Sequence, residues 1–304
     1  MKLAVIDLGT NTCNLLIAEI SGKTYSLIHQ SKVGVKLGKG GIHKNQLTPE
    51  AFQRATAALK QHLQTIASYS VDTVRTLATS AVRDAANQQE FTQHLFTETG
   101  LRLETISGER EAQLIFEGVQ LALGKLPNHS LIMDIGGGSN EFIEPHDEAI
   151  HWKASFPLGM ARVLEQLPIS DPIRPNEITA IENWFLQGMK PLWQQLNNKQ
   201  VYQLIGCSGA FDTLADLLDE TPPGTKSRSR QLISIQDFNR IAAQVIFSTK
   251  AQRDQMIGMD PLRVEMIVPA LLLIRLTIQK LGVREIIQTD YALREGVLFE
   301  WINH

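Results

Sequence analysis

The chain has 304 residues, 43% of them hydrophobic, with 21 glycines and two cysteines. At roughly 150 residues per domain, this length predicts two globular domains whose cores need neither disulfides nor a structural metal. Twenty-nine basic residues against 32 acidic ones give a net charge of −3, which excludes a nucleic-acid coater held by bulk charge. Cys13 and Cys207 cannot form a disulfide framework, so a reducing, cytoplasmic compartment is expected. Met1 leads straight into Lys2-Leu3-Ala4-Val5-Ile6-Asp7 with no apolar h-region. The most apolar stretch, Ile267 to Ile274, contains a proline and is too short to span a bilayer. No membrane and no nucleic acid are therefore expected among the partners.

In chain order, Ala4 to Asp7 reads as a buried strand, closed by the turn Leu8-Gly9-Thr10-Asn11-Thr12 and followed by a second strand from Leu15 to Ile20. Tyr25–Ile28 and Gly34–Leu37 look like further strands. Thr48-Pro49-Glu50 starts a helix, with a cap threonine before a proline, running to about Ala67. Val74–Ala78 is a strand, Ala85–Thr99 a helix, Leu103–Ile106 a strand, and Ser107 opens a helix ending near Gly124. Residues 125–130 read as a hinge. Then Leu131-Ile132-Met133-Asp134-Ile135-Gly136-Gly137-Gly138-Ser139-Asn140-Glu141 echoes the opening of the chain. Asp7 and Asp134 stand about one domain length apart, so the echo predicts duplicated domains rather than a solenoid. Beyond it, helices are expected over Gly159–Leu167, Pro175–Leu196, Ala210–Leu218, Ile235–Phe247 and Pro261–Leu281, with a closing helix from Leu293. Strands are expected at Tyr202–Ile205, before Gly206-Cys207-Ser208-Gly209, and at Glu285–Gln288.

A glycine-rich turn after a buried strand leaves backbone N–H groups free to converge on an anion. Neither turn is a Walker A loop or a dinucleotide fingerprint, because the required lysine and the helix-opening glycine spacing are missing. Two such turns facing each other across a cleft would clamp a phosphate chain. Asp7, Asp134 and Glu141 would then offer hard carboxylate oxygens to Mg²⁺. The eight histidines form no His-Glu-x-x-His or Cys-x-x-Cys set, so zinc is not expected.

These turns resemble the paired phosphate motifs of the actin-like ATPase superfamily of sugar kinases, Hsp70 chaperones and actin. More closely, nearly the whole chain resembles the exopolyphosphatase/guanosine pentaphosphate phosphohydrolase family. Seven segments carry the likeness in order: Val5 to Thr12, Ala78 to Arg83, Ile106 to Ala112, Asp134 to Glu141, Phe156 to Gly159, Gly206 to Gly209 and Leu293 to Gly296. The resemblance implies an α/β fold of two ribonuclease H-like (actin-like ATPase) domains flanking a central cleft. They would span 1–124 and 125–288, with a closing helix over 289–304 returning to the first.

It also implies that Glu111 is the general base on the attacking water. By the residues alone, Glu111 would be a first-turn acid complementing the helix dipole, ionised at neutral pH. The likeness places phosphate contacts on Gly9, Thr10, Asn11 and Thr12 of the first turn, on Gly136, Gly137, Gly138, Ser139 and Asn140 of the second, and on Arg83, Gly159, Gly206, Ser208 and Gly209. It places Mg²⁺ on Asp7, Asp134 and Glu141. Thr10 and Thr12 stand where serines are commoner, and both keep the hydroxyl. Leu262 to Ile267 departs from the family pattern, which weakens any role for Glu265. Many relatives carry a further helical region resembling HD phosphohydrolases; the length here resembles the short, two-domain branch and makes long-chain processivity doubtful.

The implied reaction is Mg²⁺-dependent release of terminal orthophosphate from inorganic polyphosphate, with guanosine pentaphosphate as the alternative substrate and a homodimer as the expected assembly. Two readings of other classes stay open: a small-molecule kinase on the same fold, and a non-catalytic sensor of polyphosphate or nucleotide. The basic loop holding Lys226, Arg228 and Arg230 is either a grip for a polyanion or a solvated surface.

Overall fold

The computed structural model describes residues 1–303 and contains two mixed sheets. The first opens with the hairpin β1 (Lys2–Leu8) and β2 (Thr12–Ser21), to which β3 (Thr24–Gly34) adds an antiparallel edge. Helix α1 (Pro49–Ala67) crosses to β4 (Thr73–Ala78), parallel to β1. Helices α2 (Ser80–Arg83) and α3 (Gln88–Thr99) then lead to β5 (Leu103–Thr105), parallel to β4. Helix α4 (Gly108–Leu123) leads out of this sheet, whose strand order is β3-β2-β1-β4-β5.

The second sheet repeats the plan. β6 (Ser130–Ile135), β7 (Asn140–His146) and β8 (Ala149–Phe156) are antiparallel neighbours. Helices α5 (Met160–Gln166), α6 (Pro175–Gly188) and α7 (Lys190–Gln195) precede β9 (Gln203–Cys207), which lies parallel to β6. After α8 (Gly209–Asp219) come β10 (Gln231–Ser234), α9 (Ile235–Ile246), α10 (Lys250–Asp254), α11 (Ile267–Leu281), β11 (Glu285–Thr289) and α12 (Leu293–Asn303). The order β10-β11-β9-β6-β7-β8 is the first sheet's plan with one extra antiparallel edge. Three antiparallel strands followed by parallel ones is the ribonuclease H-like arrangement, present twice. The α/β class expected from the sequence is the one the chain adopts.

Apolar burial divides into three layers. One packs α1 and α3 on the outer face of the first sheet, through Ala55, Leu59, Phe91 and Leu95. Another covers the second sheet with α6, α8, α9 and α11. Between them Val5 and Leu16 of one sheet and Ile132 and Ile205 of the other close on α4 and α12. Because both faces of β1 and β6 are covered, those strands read as almost continuous apolar runs. Helices α4 and α12 cross at glycines: a Cβ on Gly118 would overlap the Ala292 carbonyl, and one on Gly296 the Leu114 carbonyl. The sandwiched layer therefore brings the N-terminus of α4 to the gap between the sheets. Among the described residues no helix is long and apolar enough to cross a membrane.

Several elements differ from the sequence reading. Of the short strands expected over 25–28 and 34–37, the first lies inside β3, which pairs along the whole of β2 with one register shift at Ile17/Ala18. Val35, Lys36 and Leu37 instead leave the sheet and donate to the Asn11 and Thr10 carbonyls. The helix expected over 85–99 starts at Gln88, since Asn87 holds Leu47 through both its backbone N–H and C=O. The helix expected over 175–196 divides at Met189 before Pro191. The helix expected from Pro261 begins only at Ile267. Asn11 Nδ2 donates to the Leu262 carbonyl at 3.1 Å, and Asp260 pairs with Lys32, so residues 260–263 are held against the first sheet instead. Strands β8 and β10 gave no clear sequence signal: β8 is half-buried along most of its length and β10 is a four-residue edge.

Candidate active site

Both glycine-rich turns are built so that their carbonyls point away and their N–H groups stay free. In the second, the carbonyls of Gly136, Gly137 and Gly138 accept from the N–H groups of Met160, Ala161 and Gly159, at 3.0, 2.8 and 3.2 Å. The N–H groups of Gly137, Gly138 and Ser139 donate to no protein acceptor, and all three residues line the cleft. In the first, Gly9 N–H closes the turn on the Thr12 carbonyl at 2.9 Å. The Thr10 carbonyl accepts from Leu37, the Asn11 carbonyl from Val35 and Lys36, and the Thr10 and Asn11 N–H groups are left unpaired. The turns abut: a Cβ on Gly137 would lie 3.3 Å from Thr10 Cβ, and one on Gly138 would strike Ser80 Oγ at 2.6 Å. Two backbone nests thus face one another across a polar cleft of about 130 Å³.

Six carboxylates line the same cleft: Asp7, Asp134, Glu141, Glu111, Asp212 and Asp290. Asp7 sits opposite Asn14 in the β1–β2 register, and Asn14 Nδ2 donates to it at 3.0 Å. Asp134 and Glu141 are register partners on β6 and β7. Ser208 Oγ donates to Asp134 at 2.8 Å and Ser155 Oγ to Glu141 at 2.6 Å. Burial, reinforced by the neighbouring acids, pushes Asp134 up to about 8 and Glu141 well above the carboxylate range. Burial raises Asp7 as well. Among the described residues no three His, Cys, Asp or Glu side chains converge tightly enough to cage a metal.

Glu111 is the fourth acid. It stands in the first turn of α4, whose Ser107 cap accepts the Arg110 N–H at 3.1 Å. That helix end approaches β8 through Gly108, where a Cβ would press on Ser155. Arg83 Nη1 donates to Glu111 Oε2 at 2.8 Å and to the Ile106 carbonyl at 3.2 Å. Full ionisation at neutral pH was expected from the helix dipole. Instead burial outweighs both the dipole and Arg83, and pushes Glu111 up to about 7.

The chain matches the Ppx/GppA phosphatase family over residues 16–304. It belongs to that family. An exopolyphosphatase from Cytophaga hutchinsonii superposes with a TM-score of 0.94 at 38% identity, covering 100% of this chain and 98% of that one. The Aquifex aeolicus Ppx/GppA member shares the fold, with a TM-score of 0.81 at 23% identity over 100% and 98% of the two chains. Exopolyphosphatase 1 of Mycobacterium tuberculosis is 25% identical over 305 residues, 100% of this chain and 89% of that protein. A bifunctional 3-dehydroquinate synthase/phosphatase of Fusobacterium nucleatum is 28% identical over 318 residues, and this chain spans 46% of its length.

Within this Ppx/GppA chain, Gly9, Thr10, Asn11, Thr12, Gly136, Gly137, Gly138, Ser139, Ser208 and Gly209 line the cleft with the six acids. Ser208 holds a φ of +65°, a strained conformation for a residue with a Cβ, while its hydroxyl bonds Asp134. Four expected contacts lie behind the wall. Asn140 is fully buried and donates to the Leu158 carbonyl at 2.7 Å. Gly159 supports the second nest from below, and a Cβ there would overlap Gly137 and Gly138. Gly206 makes room for the Phe211 ring. Arg83 engages Glu111 rather than lining the cleft.

Two of the three cations in the basic loop are held by carboxylates, and the third, Arg230, is exposed. Arg228 is buried between Asp216 at 2.8 Å and Asp219 at 2.9 Å, and Lys226 pairs with Asp219 at 2.5 Å. Glu265 forms an exposed pair with Lys250.

Sequence reasoning did not place Asn14, Lys32, Asp212, Arg263, Asp290 or Arg294 on the wall, where they stand. Asn14 had a signal: in the internal echo it occupies the place that Glu141 takes in the second hairpin. Arg263 lies over Gly209 so closely that no Cβ fits there, and its buried Nε has no partner. Arg294 follows Leu293 at the start of α12, inside a segment already matched to the family. Lys32, Asp212 and Asp290 carried no local mark.

Proposed function

We propose that the chain releases terminal orthophosphate from inorganic polyphosphate by Mg²⁺-dependent hydrolysis of a phosphoanhydride bond. The observation that carries this reading is the pair of facing backbone nests beside a buried acid whose pKa lies near 7. Relatives named exopolyphosphatase, in Cytophaga and Mycobacterium, support it.

The free N–H groups of Thr10, Asn11, Gly137, Gly138 and Ser139 would hold the terminal phosphoryl oxygens without a side-chain charge. Asp7, Asp134 and Glu141, with the hydroxyls around them, form an all-oxygen donor set. That suits Mg²⁺, which takes one or two protein carboxylates, keeps several waters and needs no cage. Burial, and after it the neighbouring acids, raises their pKa values, and a bound cation would favour their ionised forms. When bound, Mg²⁺ would neutralise phosphoryl oxygens that this acidic wall would otherwise repel.

Glu111 would accept a proton from a water placed in line with the bridging P–O bond. The water oxygen bonds to the terminal phosphorus as the bridging bond breaks, giving orthophosphate and a chain one phosphate shorter. A base near 7 balances the ionised fraction against proton affinity at neutral pH. Arg83 would keep the Glu111 carboxylate aimed rather than touch the phosphate.

A second reading, guanosine pentaphosphate as substrate, is favoured by one feature. A polar compartment of about 310 Å³ adjoins the cleft, sharing Lys32, Asp212, Asp290 and Arg294, and offers room beyond the phosphate site. We also propose a cytoplasmic homodimer, to be checked by light scattering of the purified chain.

The deciding experiment is phosphate release with Mg²⁺ from short polyphosphate, long polyphosphate, guanosine pentaphosphate and ATP, for wild type and Glu111→Gln. Release from polyphosphate, falling about 10²- to 10⁴-fold in a folded Glu111→Gln, is the expected result. Release from guanosine pentaphosphate alone would keep the mechanism and change the substrate. Tight binding with no release would leave a sensor.

A further inference from the structure

Arg162, on α5, makes its bonds outside the cleft. Its side chain is 12% exposed, and its guanidinium spans the two halves of the molecule. On its own side Nε donates to the Gly138 carbonyl at 3.0 Å, beside the Gly159 N–H that reaches the same oxygen. Across the gap Nη1 donates to the Ile42 carbonyl at 3.2 Å and to Asn45 Oδ1 at 3.3 Å, and Nη2 to Asp84 Oδ2 at 2.6 Å. Asp84 also accepts from Ser80 Oγ at 3.1 Å, and its other oxygen lies 3.6 Å from Arg83 Nε. Arg83 in turn holds Glu111. One continuous polar chain thus runs Glu111, Arg83, Asp84, Arg162, Gly138.

We propose that Asp84 and Arg162 form a positioning pair that sets the distance between the general base and the nest for the terminal phosphate. The inference rests on the hydrolase reading above. The base is carried by α4 and its Arg83 partner, whereas Gly138 belongs to the β6–β7 turn. The two sheets share an apolar layer with α4 and α12. Apolar packing has no direction, so a polar tie beside the cleft is needed if an attacking water is to stay in line with the bond it breaks. A fork-shaped guanidinium with four acceptors supplies direction as well as charge, which an ammonium cannot. Gly138 is the sensitive end of the chain, because it is wedged against Thr10 and Ser80 and cannot shift without moving both nests.

The test compares kcat and KM of wild type, Arg162→Met, Arg162→Lys, Asp84→Asn and the double variant Arg162→Met/Asp84→Asn. The substrate is the one that wild type hydrolyses best, and folding is checked by circular dichroism. The nest touches the phosphoryl group under attack, so misplacement acts mainly on the transition state. Arg162→Met is expected to lose about 10²-fold in kcat, the scale of an ångström-level misplacement, with KM rising by no more than about tenfold. Arg162→Lys keeps the charge facing Asp84 but loses the fork, so it should recover only a minor part of the lost kcat. The double variant should be no slower than the worse single variant, because both break one tie.

A folded Arg162→Met with wild-type kcat, a change confined to KM, or multiplicative losses in the double variant would each overturn the proposal. Should Arg162→Met fail to fold, Asp84→Asn carries the same test, because it removes the charge without changing size. Absence of release by wild type itself would count against the hydrolase reading. Calorimetric binding of inorganic phosphate with Mg²⁺ then separates the two ideas: Arg162→Met is expected to bind it about tenfold more weakly, a loss of one nest contact's worth, and unchanged binding would overturn the tie.

Discussion

Arg83 Nη1 lies 2.8 Å from Glu111 Oε2, and the same nitrogen reaches the Ile106 carbonyl just before α4 begins. This cation pulls Glu111 downward against burial and the acids Asp7 and Asp84. Removing it leaves an unpaired acid in a dry site. Arg83→Met is therefore expected to move the acidic limb of the kcat/KM profile up by on the order of one unit or more. Activity near neutral pH would drop about tenfold or more, with partial recovery at higher pH. A profile that merely falls in height, with its limb unmoved, would show that Arg83 does not tune Glu111.

The second nest depends on a glycine it does not contain. A Cβ on Gly159 would overlap the Gly137 and Gly138 backbone. Gly159→Ala should therefore push the Gly136–Ser139 turn out of place and cost about 1–3 kcal/mol of stability. Phosphate release should fall further than stability does. Denaturant melts and initial rates on the same sample separate the two effects.

Asp134 and Glu141 make the metal-free protein sensitive to base. Their folded pKa values, about 8 for Asp134, lie above the unfolded ones. The folded state therefore holds protons that the unfolded chain releases. That contribution is complete at acid pH and is lost as pH rises through about 8. Without metal, the melting temperature should be lower at about pH 8.5 than at about pH 6, and added Mg²⁺ should raise it more at the higher pH. Melting that is flat across this window, with or without Mg²⁺, would contradict the assignment of these acids to the ion.

Buried Arg228, flanked by Asp216 and Asp219, predicts a structural rather than a binding phenotype. Arg228→Met strands Asp216 inside the protein, so a loss of about 3–5 kcal/mol is expected. The KM for polyphosphate should stay within about twofold, because a side chain already committed to two carboxylates has no phosphate contact to lose. A large rise in KM at unchanged stability would restore the loop as a polyanion grip.

The features legible in the chain alone were short-range ones. The buried strand, the acid at its end and the glycine turn are a short-range pattern, and it occurs twice. The caps at Thr48 and Ser107 mark α1 and α4 for the same reason, since a hydroxyl bonds an N–H only three residues ahead. The doubled pattern marked the α/β class together with Asp7, Asp134 and Glu141, whereas the family needed all seven matched segments and Glu111 came from one of the others.

How those residues act depends on contacts between distant parts of the chain. Asn140 and Gly159 sit inside matched segments, yet they brace the nest from behind, because backbone carbonyls must find partners once buried. Arg263 enters the cleft because residues 260–263 are tied to Lys32 and Asn11, more than two hundred positions away. Glu111 is shifted in the direction opposite to the one its helix dipole favours. A helix dipole is a property of one turn, whereas desolvation depends on everything packed around it, here two sheets and the acids they carry.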